Sequence, residues 1–163
     1  MKKITILVAA ILLGSCSWLQ PKFRSGREGQ MLPSFQLEGD SLVSLSSKSI
    51  DAGKPFIVFL YNPNCPYCRA ETEDILKHFS EFKNTRIYLI TSYPYNFIRQ
   101  YAEFYHLNKY PNIILARDST SQVLKYFNAP GVPYLAFYDG EKKLKGVLIG
   151  KNDISAIKDN ALE

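Results

Sequence analysis

Residues 56–71 read FIVFLYNPNCPYCRAE, and this stretch decides the fold. Phe56 to Tyr61 is a continuous apolar run with aromatic and β-branched residues, which suits a strand buried on both faces of a parallel sheet. Asn62, Pro63 and Asn64 make a turn, and an amphipathic helix follows. Cys65 falls at the N-cap and Pro66 at the first helical position, where a missing N–H costs nothing. Free N–H groups and the positive end of the helix macrodipole then face the Cys65 sulfur. Both favour the thiolate, so Cys65 is the candidate nucleophile. Cys68 shares a stripe with Thr72, Ile75, Phe79 and Phe82 that marks the buried face of the helix. It is expected to be the sheltered partner, and Glu71, three residues on, lies on its side. The helix is expected to run to about Phe82.

Downstream, Arg86 to Thr91 is a second apolar strand, and Phe97, Ile98, Tyr101, Ala102 and Tyr105 fall at helical spacing. Asn112 to Ala116 reads as a strand and Ser121 to Phe127 as a short helix. Pro133 heads the apolar strand Tyr134 to Tyr138, a place a proline can hold because it has no ladder hydrogen bond to give there. Asp139-Gly140 signals a hairpin into Leu144 to Ile149. Asn152 to Leu162 reads as the closing helix. Upstream, residues 29–45 read GQMLPSFQLEGDSLVSL. Phe35/Leu37 and Val43/Leu45 alternate as in half-buried strands, with a turn at Gly39-Asp40.

At the N-terminus, Lys2 and Lys3 precede an apolar run from Ile4 to Leu13. Its length is about half of the ~20 residues a spanning helix needs, which suits the core of a signal peptide. The run ends in Leu13-Gly14-Ser15-Cys16, which resembles the lipobox of bacterial lipoproteins; that resemblance implies that Cys16 is acylated and becomes the first residue of the mature chain. Two or more acyl chains make a stable anchor. The expected division is a signal peptide over 1–15, a flexible lipid-anchored tether over 16–30 and one domain over 31–163. Cys65 and Cys68 then remain as a pair in an oxidising compartment. The formal charge of the 163-residue chain is +5; without Lys2 and Lys3, 18 basic face 15 acidic residues. That balance is too mild, and the basic residues too dispersed, for a nucleic-acid partner.

Strand, Cys-Pro-Tyr-Cys and helix resemble the thioredoxin fold. The fuller pattern is similar to the membrane-anchored thiol–disulfide oxidoreductases of the TlpA/ResA kind, over about Gly29 to the end. The resemblance implies an α/β, three-layer fold: a central mixed sheet flanked by helices, with an N-terminal β-hairpin and a mid-chain strand–helix insertion (Arg86–Thr91 and the helix after it). It implies a cis Val132-Pro133 bond packed against the cysteines, with the Val132 backbone free to pair with an extended partner. Val132, Pro133, Pro66 and Tyr67 are the expected substrate-binding residues. Glu71 matches a glutamate of the ResA group and is either the proton acceptor for Cys68 or a first-turn acid serving only the helix dipole.

The chemistry expected is thiol–disulfide exchange, with a redox-active Cys65–Cys68 disulfide and no other cofactor. A lone Cys-x-x-Cys supplies only half of a zinc site, so no metal is expected. The expected partners are envelope proteins with disulfides or thiols and a membrane electron donor or acceptor, with the chain itself a monomer. The preferred role is a reductant. An oxidant or isomerase of the same fold is the first alternative. A binding module with a structural disulfide and a surface of Tyr93, Tyr95 and Tyr110 is the second. A peroxidase fits less well, because peroxiredoxins share the hairpin but place Thr three residues before their reactive cysteine, where Asn62 stands. Other departures are Asn64 where the family usually has Trp, Phe59 where thioredoxin has a buried Asp, and Tyr134 after the proline where Thr is common.

Overall fold

The computed structural model describes residues 23–38, 43–45, 48–50 and 53–162. In chain order the strands are β1 (Phe35–Leu37), β2 (Val43–Leu45), β3 (Phe56–Leu60), β4 (Arg86–Thr91), β5 (Ile113–Arg117), β6 (Tyr134–Tyr138) and β7 (Leu144–Ile149). The helices are α1 (Pro66–Lys77), α2 (Tyr95–Phe104), α3 (Gln122–Phe127) and α4 (Ile154–Leu162). The elements correspond to those expected, with one difference. The α-helix opened by the cysteine motif stops at Lys77, and a separate 3-10 turn, Phe79–Phe82, carries the apolar stripe onward. The break falls at His78, whose backbone N–H and ring Nδ1 both lie against the Asp74 carbonyl oxygen, at 3.2 and 2.9 Å.

β1 and β2 pair antiparallel, with Phe35 opposite Leu45 and Leu37 opposite Val43; the turn expected at Gly39-Asp40 lies outside the described residues. The main sheet has the order β5-β4-β3-β6-β7. β3 is central, parallel to β4 but antiparallel to β6, so the sheet is mixed. Of the strand and helix expected as an insertion, β4 is an interior strand beside β3, and β5 forms the edge.

Every residue of β3 is buried. Its alternation splits the core in two. Phe56, Val58 and Leu60 pack with Leu32, Phe35, Val123, Phe127 and Tyr138 under α3 and the hairpin. Ile57 and Phe59 pack with Cys68, Ile75, Tyr101 and Ile157 under α1, α2 and α4. Three layers result, and each buried apolar side chain of β3 contributes about 1.5–3 kcal/mol.

Both sheet edges are covered by the N-terminal part of the chain, which limits stray strand pairing. Glu38 bridges to Arg117 on β5 through two backbone hydrogen bonds and an ion pair of 2.8 Å. At the other edge Gly29 donates to the Leu144 carbonyl at 2.8 Å, and Leu144 donates to that of Gln30 at 3.0 Å. The Arg27 guanidinium lies 4.1 Å above the Tyr126 ring. The last residues of the stretch expected as tether are therefore held on the domain. The signal segment, Cys16 and the tether through residue 22 lie outside the described residues. In the Asp139-Gly140 hairpin, Lys142 is the residue at positive φ (67°), while Gly140 lets the Gly53 backbone approach.

Candidate active site

The turn between β3 and α1 is built by Asn62. Its carbonyl accepts from the Cys65 N–H at 3.0 Å, and its side-chain oxygen accepts from the Asn64 N–H at 2.8 Å. An asparagine that closes a turn on its own backbone suits the passage from strand to helix. Cys65 is the N-cap residue, with extended φ and ψ, and Pro66 takes the first helical position. The Cys65 side chain makes no capping bond, so its half-buried sulfur stays available beside the open N–H groups of the first turn. Its thiol lies 3.9 Å from the Val132 carbonyl oxygen. Val132-Pro133 is cis, as the resemblance implies. Among the described residues the Val132 N–H has no partner, while the Pro133 carbonyl is taken by Gly150. Tyr67, between the cysteines, is 63% exposed.

Cys68 is fully buried and, like Cys65, a free thiol. Desolvation pushes its pKa up to about 12, helped by its hydrogen bond with the Cys65 side chain and the nearby charges of Cys65 and Glu71. One interaction opposes this: the Asn62 N–H donates to the Cys68 sulfur at 3.5 Å. The Tyr61 and Tyr101 rings meet at 4.8 Å with their planes tilted by 45°, and the Tyr101 hydroxyl reaches the Cys68 carbonyl at 3.4 Å and the Thr72 hydroxyl at 2.8 Å. The arrangement is one reachable sulfur with a second, protonated sulfur behind it.

Glu71 is fully buried and lies beyond the first turn of α1, which holds no acidic residue, so it is not the first-turn acid of the dipole-only alternative. Burial raises its pKa, while the Asn152 amides and Lys151 pull against the rise. The Asn152 N–H donates to one carboxylate oxygen at 3.1 Å, its side-chain amide reaches the other at 3.4 Å, and Lys151 Nζ stands 3.4 Å away. Glu71 is also the one carboxyl whose charge raises the Cys68 pKa among the causes that act on that thiol.

Clefts flank the motif on both sides. One, of about 160 Å³, runs past Val132, Asn62, Thr91, Tyr93, Asp118 and Leu124. The other, of about 150 Å³, is lined by Pro63, Asn64, Arg69, Phe97, Tyr101 and Phe104. On the α2 side of this second cleft Phe104 is 70% exposed. The three tyrosines considered as one surface separate: Tyr93 packs on Phe97, Tyr95 lies beneath Arg117, and Tyr110 packs on Phe79.

The sequence pattern of the AhpC/TSA family matches residues 29–147. The chain belongs to the AhpC/TSA family. No curated protein matches it. Solved structures similar to it include the thioredoxin domain of a thiol-disulfide oxidoreductase from Bacteroides vulgatus, 23% identical, TM-score 0.64, covering 81% of this chain and 95% of that one. A secreted disulfide oxidoreductase of Mycobacterium tuberculosis is 17% identical, TM-score 0.62, over 77% and 92%. AhpC of Enterococcus faecalis is 17% identical, TM-score 0.65, over 82% and 89%. Family and fold together make the chain a thioredoxin-like oxidoreductase, as the resemblance implies.

Within this family member, the site residues read from the sequence converge: Cys65, Cys68, Val132 and Pro133 meet at the carboxyl end of β3, and Glu71 sits behind Cys68. Asn62, Tyr61, Tyr101, Lys151 and Asn152 were not anticipated. For Asn62 the signal was present in its turn position. For Lys151 and Asn152, 80 or more residues from Glu71, no local spacing could have revealed the contact.

Proposed function

We propose that the chain reduces disulfides of partner proteins in the cell envelope, tethered to the membrane through lipid on Cys16. The observation that carries the exchange chemistry is the pairing of a half-exposed Cys65 at a helix mouth with a fully buried Cys68 one turn behind. The Cys65 thiolate attacks one sulfur of the partner's disulfide; a Cys65–partner bond forms and the partner's other sulfur leaves as thiolate. Cys68 gives its proton to the Glu71 carboxylate and attacks the Cys65 sulfur. The Cys65–partner bond breaks, the partner departs reduced, and a Cys65–Cys68 disulfide remains for a membrane dithiol donor to reduce. During attack an extended partner segment pairs with the free Val132 N–H, and Pro66, Tyr67 and Pro133 form the floor it lies on.

The envelope location rests on the lipobox-like Leu13-Gly14-Ser15-Cys16, and the secreted Mycobacterium tuberculosis neighbour supports it. The reductant role rests on the TlpA/ResA resemblance, in which cytochrome c maturation is one destination of the electrons. The reduction potential tests it. A value near that of thioredoxin, about −270 mV, fits a reductant; one near that of DsbA, about −120 mV, assigns an oxidant. Insulin reduction by dithiothreitol that the chain does not accelerate would point instead to the binding module.

A peroxidase is the second reading, favoured by the β1–β2 hairpin that peroxiredoxins share. Against it, Asn62 occupies the threonine position with its side-chain oxygen turned to Asn64 and its N–H turned to Cys68. Peroxide consumption measured beside insulin reduction separates the two.

A further inference from the structure

We propose that Lys151 is a positioning residue for the exchange reaction: held between Glu71 and Asp74, it sets the pH at which the buried Glu71 carboxylate can take the proton of Cys68. This rests on Glu71 being the proton acceptor, as proposed above.

Lys151 lies in the connection between β7 and α4, far in sequence from the cysteine helix, and is brought to it by the fold. Its Nζ is 2.6 Å from Asp74 Oδ2 and 3.4 Å from Glu71 Oε2. Both acids are on α1, nearly one turn apart, but their surroundings differ sharply. The Glu71 side chain is wholly buried, whereas that of Asp74 is 39% exposed and that of Lys151 27%. A buried carboxylate with no cation would hold its proton too tightly to act as a base near neutrality. The Lys151 ammonium offsets that burial. Asp74 competes for the same ammonium and so limits how far the offset goes. Neighbouring Asn152 fixes the Glu71 carboxylate with its N–H and side-chain amide but carries no charge. The titratable group facing Glu71 on its own helix is Cys68, whose proton it would receive. Lys151 touches neither sulfur, so its effect is confined to the second half of the reaction.

Removing the cation and removing its competitor should have opposite effects, which a merely structural role would not produce. The test uses the reduced full-length chain carrying Cys16→Ser and the disulfide 5,5′-dithiobis(2-nitrobenzoate). Cys65 attacks this reagent and releases one thionitrobenzoate. Cys68 then displaces the other from Cys65, closing the Cys65–Cys68 disulfide. The second release is followed against pH. In Lys151→Met the rise of the second phase should move to higher pH, slowing it about tenfold on the acid side, with the first phase unchanged. Lys151→Arg should restore the wild-type profile, and Asp74→Asn should move the rise to lower pH. Lys151→Met and Asp74→Asn profiles that overlie the wild type, or move the same way, would overturn the positioning role. A wild-type profile in Glu71→Gln would instead overturn the acceptor assignment beneath it.

Discussion

The Cys65 thiol and the Val132 carbonyl, 67 residues apart in the chain, lie 3.9 Å from each other. The end of the nucleophile's strand–turn–helix and the start of β6 therefore form one ledge. Cys65 stands on the ledge and Cys68 beneath it. The two cysteines, chemically identical, thus meet different surroundings: Cys65 is half-buried at the helix N-cap and Cys68 fully buried behind it.

That difference should appear in alkylation. With its pKa pushed up to about 12, Cys68 is ionised in about one molecule in ten thousand at pH 8. Iodoacetamide on the reduced native chain should label Cys65 at pH 8 and leave Cys68 unlabelled until urea is added. Peptide mapping by mass spectrometry reads the result; simultaneous labelling of both would contradict the burial of Cys68.

Glu71 gives the stability a pH signature. Its folded pKa is raised, so the native state keeps a proton that the unfolded chain has lost. Stability contributed at this site is greatest below the ordinary carboxyl pKa and falls as pH rises through the folded value, then levels. Urea midpoints across pH 4–8 should show this decline in the wild type relative to Glu71→Gln, in which it is abolished. Glu38, held low by Ser119 and Arg117, acts in the opposite sense and is common to both proteins.

Asp118 joins the fold to the cleft beside Val132. Its buried carboxylate accepts from the Gln122 N–H at 3.0 Å and the Val123 N–H at 2.8 Å, tying down the start of α3. Asp118→Ala should cost about 1–3 kcal/mol by urea unfolding, because two N–H groups lose their acceptor together. A change under about 0.5 kcal/mol would show that the α3 terminus finds other partners.

Two phenylalanines near the motif should separate packing from contact. Phe59 is fully buried among Cys68, Ile75 and Leu135, so Phe59→Ala should cost about 3–5 kcal/mol. Phe104 is 70% exposed, and Phe104→Ala should stay within about 0.5 kcal/mol. If the α2 cleft receives the partner, Phe104→Ala should still raise KM for insulin reduction; an unchanged KM would remove that cleft from the site.

The fold was legible because β3 and the helix after it are written in local patterns. A fully apolar run, a turn and a 3.6-residue stripe need no distant partner to be recognised. The nucleophile was legible for the same reason, since Cys65 and Pro66 carry their own positional meaning. What could not be read depends on the tertiary arrangement. The stripe through Phe79 and Phe82 reads as uninterrupted helix, because periodicity alone does not show the break at His78. Glu71 was ambiguous because its burial is decided by the Lys151–Asn152 connection packed over it. That Asn64 shares a cleft with Phe97 and Phe104 of α2 is likewise a product of the fold, which no local spacing shows.

The proposed exchange requires that Cys65 capture a partner's sulfur and that Cys68 release it. Cys68→Ser, with Cys16 also replaced, should be reduced, mixed with insulin and examined on a non-reducing gel, with the linked peptide mapped by mass spectrometry. The expected result is a covalent adduct through Cys65 that persists until dithiothreitol is added, whereas the chain with Cys68 intact yields reduced insulin and no lasting adduct. Absence of the adduct, or insulin reduction by Cys65→Ser at the wild-type rate, would contradict it.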